Sequence, residues 1–224
     1  YNAAEIEILE GLEPVRHRPG MYIGGIDNNA LHHLAIEIID NCMDEVLAKH
    51  ATVIDVKLSE GNVLTISDNG RGIPIDSHPK FKNKSALEVI MTTLHSGGKF
   101  SNKNYATSGG LHGVGASVVN ALSSFMKVDV IRKGILYTQE FSKGLPTTKL
   151  NKVESTKKTT GTSISFKPDT SIFGENNLLN PDKLFKILEY KAYLFGGVQI
   201  NWQCEASLLK GNTITPNNKK FFYI

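Results

Sequence analysis

Glu37, Asp40, Asn41, Asp44 and Glu45 crowd one short stretch of the chain. On a helix, Asp40, Asn41 and Asp44 fall on the side of Glu37, at i+3, i+4 and i+7, with Glu45 flanking them. The plain reading of that spacing is a solvated acidic face. Against it, no Lys or Arg occurs between Leu34 and Ala48. Asp40 and Asp44 also stand in the like-charge i, i+4 arrangement, which disfavours a helix. An uncompensated stripe points to an external cation, and hard oxygen donors with few protein ligands suit Mg²⁺.

Two glycine-rich segments offer the other half of a site. Asp68-Asn69-Gly70-Arg71-Gly72 follows an apolar alternation. Its glycines allow close approach of a ligand to the backbone, and its Asp can accept a hydrogen bond from an exocyclic amine. Alone, it is also an ordinary turn. Ser108 to Gly115 is denser: Gly109, Gly110, Gly113 and Gly115 surround Leu111, His112 and Val114, and the segment runs into a helical pattern. Free N–H groups at a helix start form an anion site. The order is neither a Walker loop nor GxGxxG. A surface loop is the competing reading. His112 reads as a backbone or structural position, because no base–nucleophile partner is visible. Lys99, in Gly97-Gly98-Lys99-Phe100, is equally a phosphate contact or an exposed lysine. Taken together, magnesium-type ligands, a turn fit for a base and a loop fit for phosphates favour ATP.

These pieces need elements to hold them. Leu31, Leu34, Ala35, Ile38, Ile39, Cys42, Met43, Val46 and Leu47 follow the i, i+3, i+4 rule of a helix with one buried face. Val53–Leu58 and Val63–Ser67 read as a hairpin turning at Glu60-Gly61-Asn62. Helices are predicted over 86–94 and 113–122. Strands are predicted over 127–132, 136–141, 147–152, 162–166, 198–204, 207–210 and 219–223. Pro181–Leu194 reads as a helix with Pro at its first position and Asn180 as its cap. Residues 154–161 read as a mobile hairpin tip. This order is not a βαβ alternation. It predicts one α+β domain over 1–224, with helices layered on one face of a mixed, mostly antiparallel sheet.

Composition agrees. The 224 residues are 40% hydrophobic and 21% charged, which is ordinary for a globular chain. The net charge of +3 is too small to argue for or against nucleic acid. Cys42 and Cys204 are the only cysteines, which excludes a disulfide scaffold and a Cys-based zinc site and fits a reducing cytoplasm. No apolar run is long enough to span a bilayer. Tyr1 in place of Met reads as a trimmed chain.

The residues above carry a family resemblance. The chain resembles the ATPase domain of the B subunit of bacterial type IIA topoisomerases, in the GHKL-type fold shared by gyrase, Hsp90, histidine kinases and mismatch-repair ATPases. The matching stretches are Gly11–Tyr22, Glu37–Asn41, Asp68–Pro74, His95–Phe100 and Ser108–Gly115 running on to Ser123. The C-terminal part matches loosely, through Gly161-Thr162 and Gly197–Trp202. Lys99–Tyr105 looks more like topoisomerase IV than gyrase. A chaperone or mismatch-repair clamp of the same fold is the rival, and the wording from Leu111 to Ser123 argues against it.

The resemblance implies roles. Glu37 would be the general base polarising the attacking water, and Asn41 the protein ligand of Mg²⁺. Asp68 would bind the adenine amine, with Gly72 and Thr162 nearby. Ile73, Pro74 and Ile90 would line the adenine pocket, and Tyr105 would reach the adenine. Gly110, Leu111, His112, Gly113, Val114, Gly115 and Ala116 would wrap the phosphates. Residues 1–22 would form an arm, with little to hold it to its own domain, that carries Tyr1 to the other protomer of an ATP-closed homodimer. A second domain with a γ-phosphate lysine, and an A-type subunit that cleaves DNA, would complete the enzyme. The fragment alone would hydrolyse ATP poorly.

Overall fold

Caps and apolar spacing set the element boundaries. The computed structural model describes residues 11–94, 115–211 and 214–224. The chain opens with α1 (Glu13–His17), α2 (Gly20–Ile23) and the long α3 (Asn28–Leu47). A hairpin of β1 (Val53–Ser59) and β2 (Val63–Asp68) follows, then a small one of β3 (Ser77–His78) and β4 (Phe81–Ser85). Next come α4 (Ala86–Thr92) and α5 (Gly115–Ala121). The strands β5 (Ser123–Arg132), β6 (Ile135–Ser142), β7 (Leu145–Pro146), β8 (Asn151–Ser155) and β9 (Gly161–Pro168) lead to α6 (Thr170–Phe173) and α7 (Pro181–Leu194). The chain closes with β10 (Gln199–Cys204) and β11 (Asn218–Phe222).

Side chains that accept from the first free N–H groups start α3, α4, α6 and α7. Asp27 Oδ1 accepts from Ala30 N at 2.8 Å at the start of α3. Ser85 does the same for Glu88 N, and Asn180 for Lys183 N ahead of Pro181.

One sheet runs in the order β11-β10-β1-β2-β9-β5-β6-β7, with β8 also paired to β6. Its pairs are antiparallel except β1 with β10. Helix α7 makes the crossover that returns the chain to β10 in that direction. Alternation gives the sheet two different faces. Ile54, Val56, Leu64, Ile66, Val128, Ile164, Phe166, Ile200 and Trp202 are buried beneath the helices. The other face carries hydroxyl pairs, Thr65 with Ser165 and Ser67 with Ser163, each at 2.8 Å. Burying a large apolar side chain stabilises the fold by about 1.5–3 kcal/mol. The stripe of α3 delivers many such groups, from Leu31 to Met43.

The predicted α+β layering, the long helix, the first hairpin and the capped α7 all stand. Four expectations are corrected. Residues 147–150 are not strand, because Thr147 N and the Thr148 hydroxyl are both used on the Glu140 backbone. Residues 207–210 are not strand: 207–209 lie in a 3-10 helix, Ala206–Leu209, and Lys210 follows it in a turn. Residues 154–161 are no hairpin tip: β8 pairs with β6 while β9 inserts between β2 and β5, and Thr156 and Thr159 bond the Gly134 backbone. The fourth is the loose arm over residues 1–22. From residue 12 onward it is docked, with Leu12, Val15 and Ile23 buried and Arg16 ion-paired to Asp169 at 2.9 Å. Residues 1–10, with Tyr1, lie outside the described residues.

Candidate functional site

Glu37 and Asn41 are one turn apart on α3, both half-buried. Glu37 Oε1 is 3.4 Å from His33 Nε2, a full turn earlier. Its other oxygen lies against Gly115, the first residue of α5, where a Cβ would overlap it. Glycine at 115 is therefore what allows the carboxylate to reach the start of that helix. Ala116 is buried in the core.

Asp40 and Glu45 of the acidic stripe are compensated, contrary to the expectation from the sequence. Lys191 of α7 meets Asp40 at 2.8 Å. Glu45 receives Arg71 at two points, Nη2 to Oε1 at 2.7 Å and Nε to Oε2 at 3.2 Å, and also the Arg71 N–H at 3.1 Å. Asp44 is buried. Both cations come from distant segments, so a search for neighbours along the helix misses them.

Asp68 closes β2, in register with Thr162 of β9. Its Oδ1 accepts from Gly70 N at 2.9 Å, folding the chain into the turn that follows. Asn69 faces away and accepts from Thr52 and Val53 N–H groups. Gly72 has φ +82, and a Cβ there would approach Ile131 O at 2.9 Å and Gly161 O at 3.2 Å. Arg132 Nη1 donates to Gly72 O at 2.8 Å. The Thr162 hydroxyl accepts from Ile73 N at 3.2 Å. The turn is thus held from three sides: by Glu45, by Arg132 and by β9. Ile73 and Ile90 are half-buried against the core, while Pro74 is exposed.

The structure therefore brings Glu37, Asn41 and Gly115 together at one end, and Asp68, Gly72, Ile73 and Thr162 at the other. Helix α3 joins the two, through Glu37 and through the grip of Glu45 on Arg71. Lys99, Tyr105, Gly110, Leu111, His112, Gly113 and Val114 lie outside the described residues. His33, Arg71 and Arg132, and the grip of Glu45 on Arg71, are additions to the sequence reading. The i, i+4 spacing of His33 and Glu37 signalled the first; nothing local signals Arg132. Among the described residues no group of three or more His, Cys, Asp or Glu side chains could hold a metal ion. The donor set of a Glu carboxylate and an Asn amide instead suits an ion that reaches the site with other oxygen ligands. Among the described residues no helix is long and apolar enough to cross a membrane.

Residues 26–172 match the family described as histidine kinase-, DNA gyrase B-, and HSP90-like ATPase. Over 223 residues the chain is 56% identical to the B subunit of DNA topoisomerase 4 from Bartonella bacilliformis, covering 100% of this chain and 32% of that protein. It is 58% identical over 208 residues to the B subunit of DNA topoisomerase 4 from Rickettsia typhi, covering 93% and 31%. The B subunit of DNA gyrase from Halalkalibacterium halodurans is 49% identical over 200 residues, covering 89% and 31%. Among solved structures, the 43K ATPase domain of Thermus thermophilus gyrase B in complex with an aminocoumarin superposes with a TM-score of 0.79. It is 42% identical, covering 95% of this chain and 51% of that one. The chain spans about a third of the length of the curated relatives it matches. The likeness extends through the C-terminal part, further than the loose match expected there.

Proposed function

The chain belongs to the histidine kinase-, DNA gyrase B- and HSP90-like ATPase family, and on that premise we propose that it is the ATP-hydrolysing module of a type IIA DNA topoisomerase of the topoisomerase IV kind. The observation that carries this is the Glu37 carboxylate seated against Gly115, at the start of the helix that leaves the glycine-rich segment.

In this reading the nucleotide lies along α3. The adenine amine donates to Asp68, whose two oxygens offer about four lone-pair sites, one of them used by Gly70 N–H. The Thr162 hydroxyl accepts from Ile73 N, which leaves its proton to donate toward the base. Gly72, Ile73, Pro74 and Ile90 surround the ring, and Tyr105 reaches it. Gly110 to Ala116 wrap the phosphates with backbone N–H groups, and Lys99 adds a point charge. Glu37 draws a proton from the attacking water, with His33 holding its other oxygen. Asn41 would hold Mg²⁺, which when bound offsets phosphate charge.

Hydrolysis would drive one DNA duplex through another in the cytoplasm. The work needs an A-type partner subunit and an ATP-closed homodimer to which Tyr1 contributes. A gyrase-type protein is the second reading, favoured by the superposition on gyrase B. The test is to assay the longer protein with its A-type partner on catenated and supercoiled DNA. ATP-dependent decatenation and relaxation are expected. ATP-dependent introduction of supercoils would make it a gyrase, and no ATP-dependent change in topology would overturn the reading.

A further inference from the structure

Arg16 of α1 is mostly buried, and its guanidinium spans two partners. Nη1 donates to Ala121 O at 2.7 Å, and Nη2 to Asp169 Oδ2 at 2.9 Å. Ala121 is the last residue of α5, and every residue of that helix is buried. The carbonyls of a last turn lack partners within their own helix and carry its partial negative charge, so a buried cation is well placed there. At the opposite end of the same helix, Gly115 lies against the Glu37 carboxylate. At 1.5 Å per residue, α5 is a rod only about 10 Å long. A shift at Ala121 therefore reaches Gly115 with little to absorb it. Asn120 supplies a second anchor, donating to Met91 O at 2.8 Å.

We propose that Arg16 is a positioning residue of the ATPase reaction: by gripping Ala121 O it fixes α5 along its axis, and so fixes the Gly115 backbone on which Glu37 is seated. The inference rests on the ATPase reading above. Asp169 orients the guanidinium but does not itself touch α5 through its side chain. A planar fork can serve both directions at once, whereas a lysine can serve one. The effect belongs on the chemical step, since the base-binding turn at Asp68–Gly72 is held by other residues. A residue that merely ties α1 to the domain would change stability without separating kcat from KM.

The test compares Arg16→Gln, Arg16→Lys and Asp169→Asn in the longer protein assembled with its partner. It reads kcat and KM for ATP, affinity for ADP by calorimetry, and Tm. Arg16→Gln should lower kcat by about tenfold or more, with KM and ADP affinity within about threefold. Asp169→Asn retains the bond from Arg16 to Ala121 O and should keep kcat within about twofold, even where Tm falls. Arg16→Lys should recover part of the lost turnover. Unchanged turnover in Arg16→Gln, or equal losses in Arg16→Gln and Asp169→Asn that follow Tm, would overturn the proposal. If Arg16→Gln does not fold, Arg16→Lys must lose more turnover than Asp169→Asn, and the reverse order overturns it. A wild-type assembly that neither binds nor hydrolyses ATP would sink the ATPase reading itself.

Discussion

Lys191 Nζ stands 2.8 Å from Asp40 Oδ1, joining α7 to α3 across 151 residues of chain. Only 20% and 17% of the two side chains are exposed. This ion pair makes Asp40 part of the packing between two helices. Lys191→Met keeps much of the apolar stem and removes this counterion from the Asp40 charge. Such a loss costs about 1–3 kcal/mol. Urea unfolding should show that loss with nucleotide affinity unchanged; a variant as stable as the parent would mean that the pair contributes nothing net.

Glu37 is the opposite case, a stripe member aimed at the start of α5. Glu37→Ala should leave ATP binding within a few-fold and lower turnover of the longer protein by roughly 10²-fold or more, the scale of a lost general base. Gly115→Ala offers a second approach to the same contact, because its new Cβ must displace the carboxylate. It should lower turnover in the same direction. Steady-state hydrolysis with calorimetric affinities separates the two effects, and near-normal turnover in Glu37→Ala would remove Glu37 from the role.

Asp68 should decide which base is taken. Asp68→Asn replaces a charged acceptor by an amide that can present its donor. A hydrogen bond to a charged group contributes about 1.5–3 kcal/mol, so ATP affinity should fall by roughly 10- to 100-fold. GTP carries a carbonyl where adenine carries its amine and should bind the parent poorly. Equal affinities for ATP and GTP by calorimetry would contradict this role.

What was legible in the sequence was what depends on neighbours along the chain. The stripe of α3, the Asn180 cap and the alternation of β1 and β2 are local patterns, and each lies where it was expected. Glu37 and Asp68 were read from local spacing and Thr162 from the resemblance; Asp68 and Thr162 are register partners on β2 and β9. Two of the failures share one cause. The acidic stripe looked uncompensated because its cations, Lys191 and Arg71, arrive from other elements. Within the arm expected over residues 1–22, residues 12–22 looked loose because Arg16 finds its partners at Ala121 and Asp169. Partners more than 20 residues away leave no period to read.

His32 gives the fold a pH dependence with a definite sign. The ring is buried near the start of α3 and joins it to the cap of α7. Its Nδ1 bonds Asn28 O at 2.7 Å, so that nitrogen carries the proton, and Nε2 accepts from Asn180 N at 2.8 Å. Burial holds its pKa below the ordinary 6.5; the hydrogen bond to Asn28 opposes this, and the charge of Lys183 adds to the lowering. Above pH 6.5 the ring is neutral in both folded and unfolded chains, and the full stability is present. As the pH falls below that value, the unfolded chain takes up a proton that the folded chain refuses. Stability then drops, by at most about 1.4 kcal/mol per pH unit for one such group, until the folded ring is itself protonated. At that point Nε2 can no longer accept from Asn180. His32→Gln removes the titration while keeping a polar side chain in place. Urea unfolding at pH 7.5 and at pH 5.5 should show a larger acid loss in the parent than in His32→Gln, since the other histidines are common to both. Parallel losses in the two proteins would show that His32 is protonated as readily in the fold as out of it.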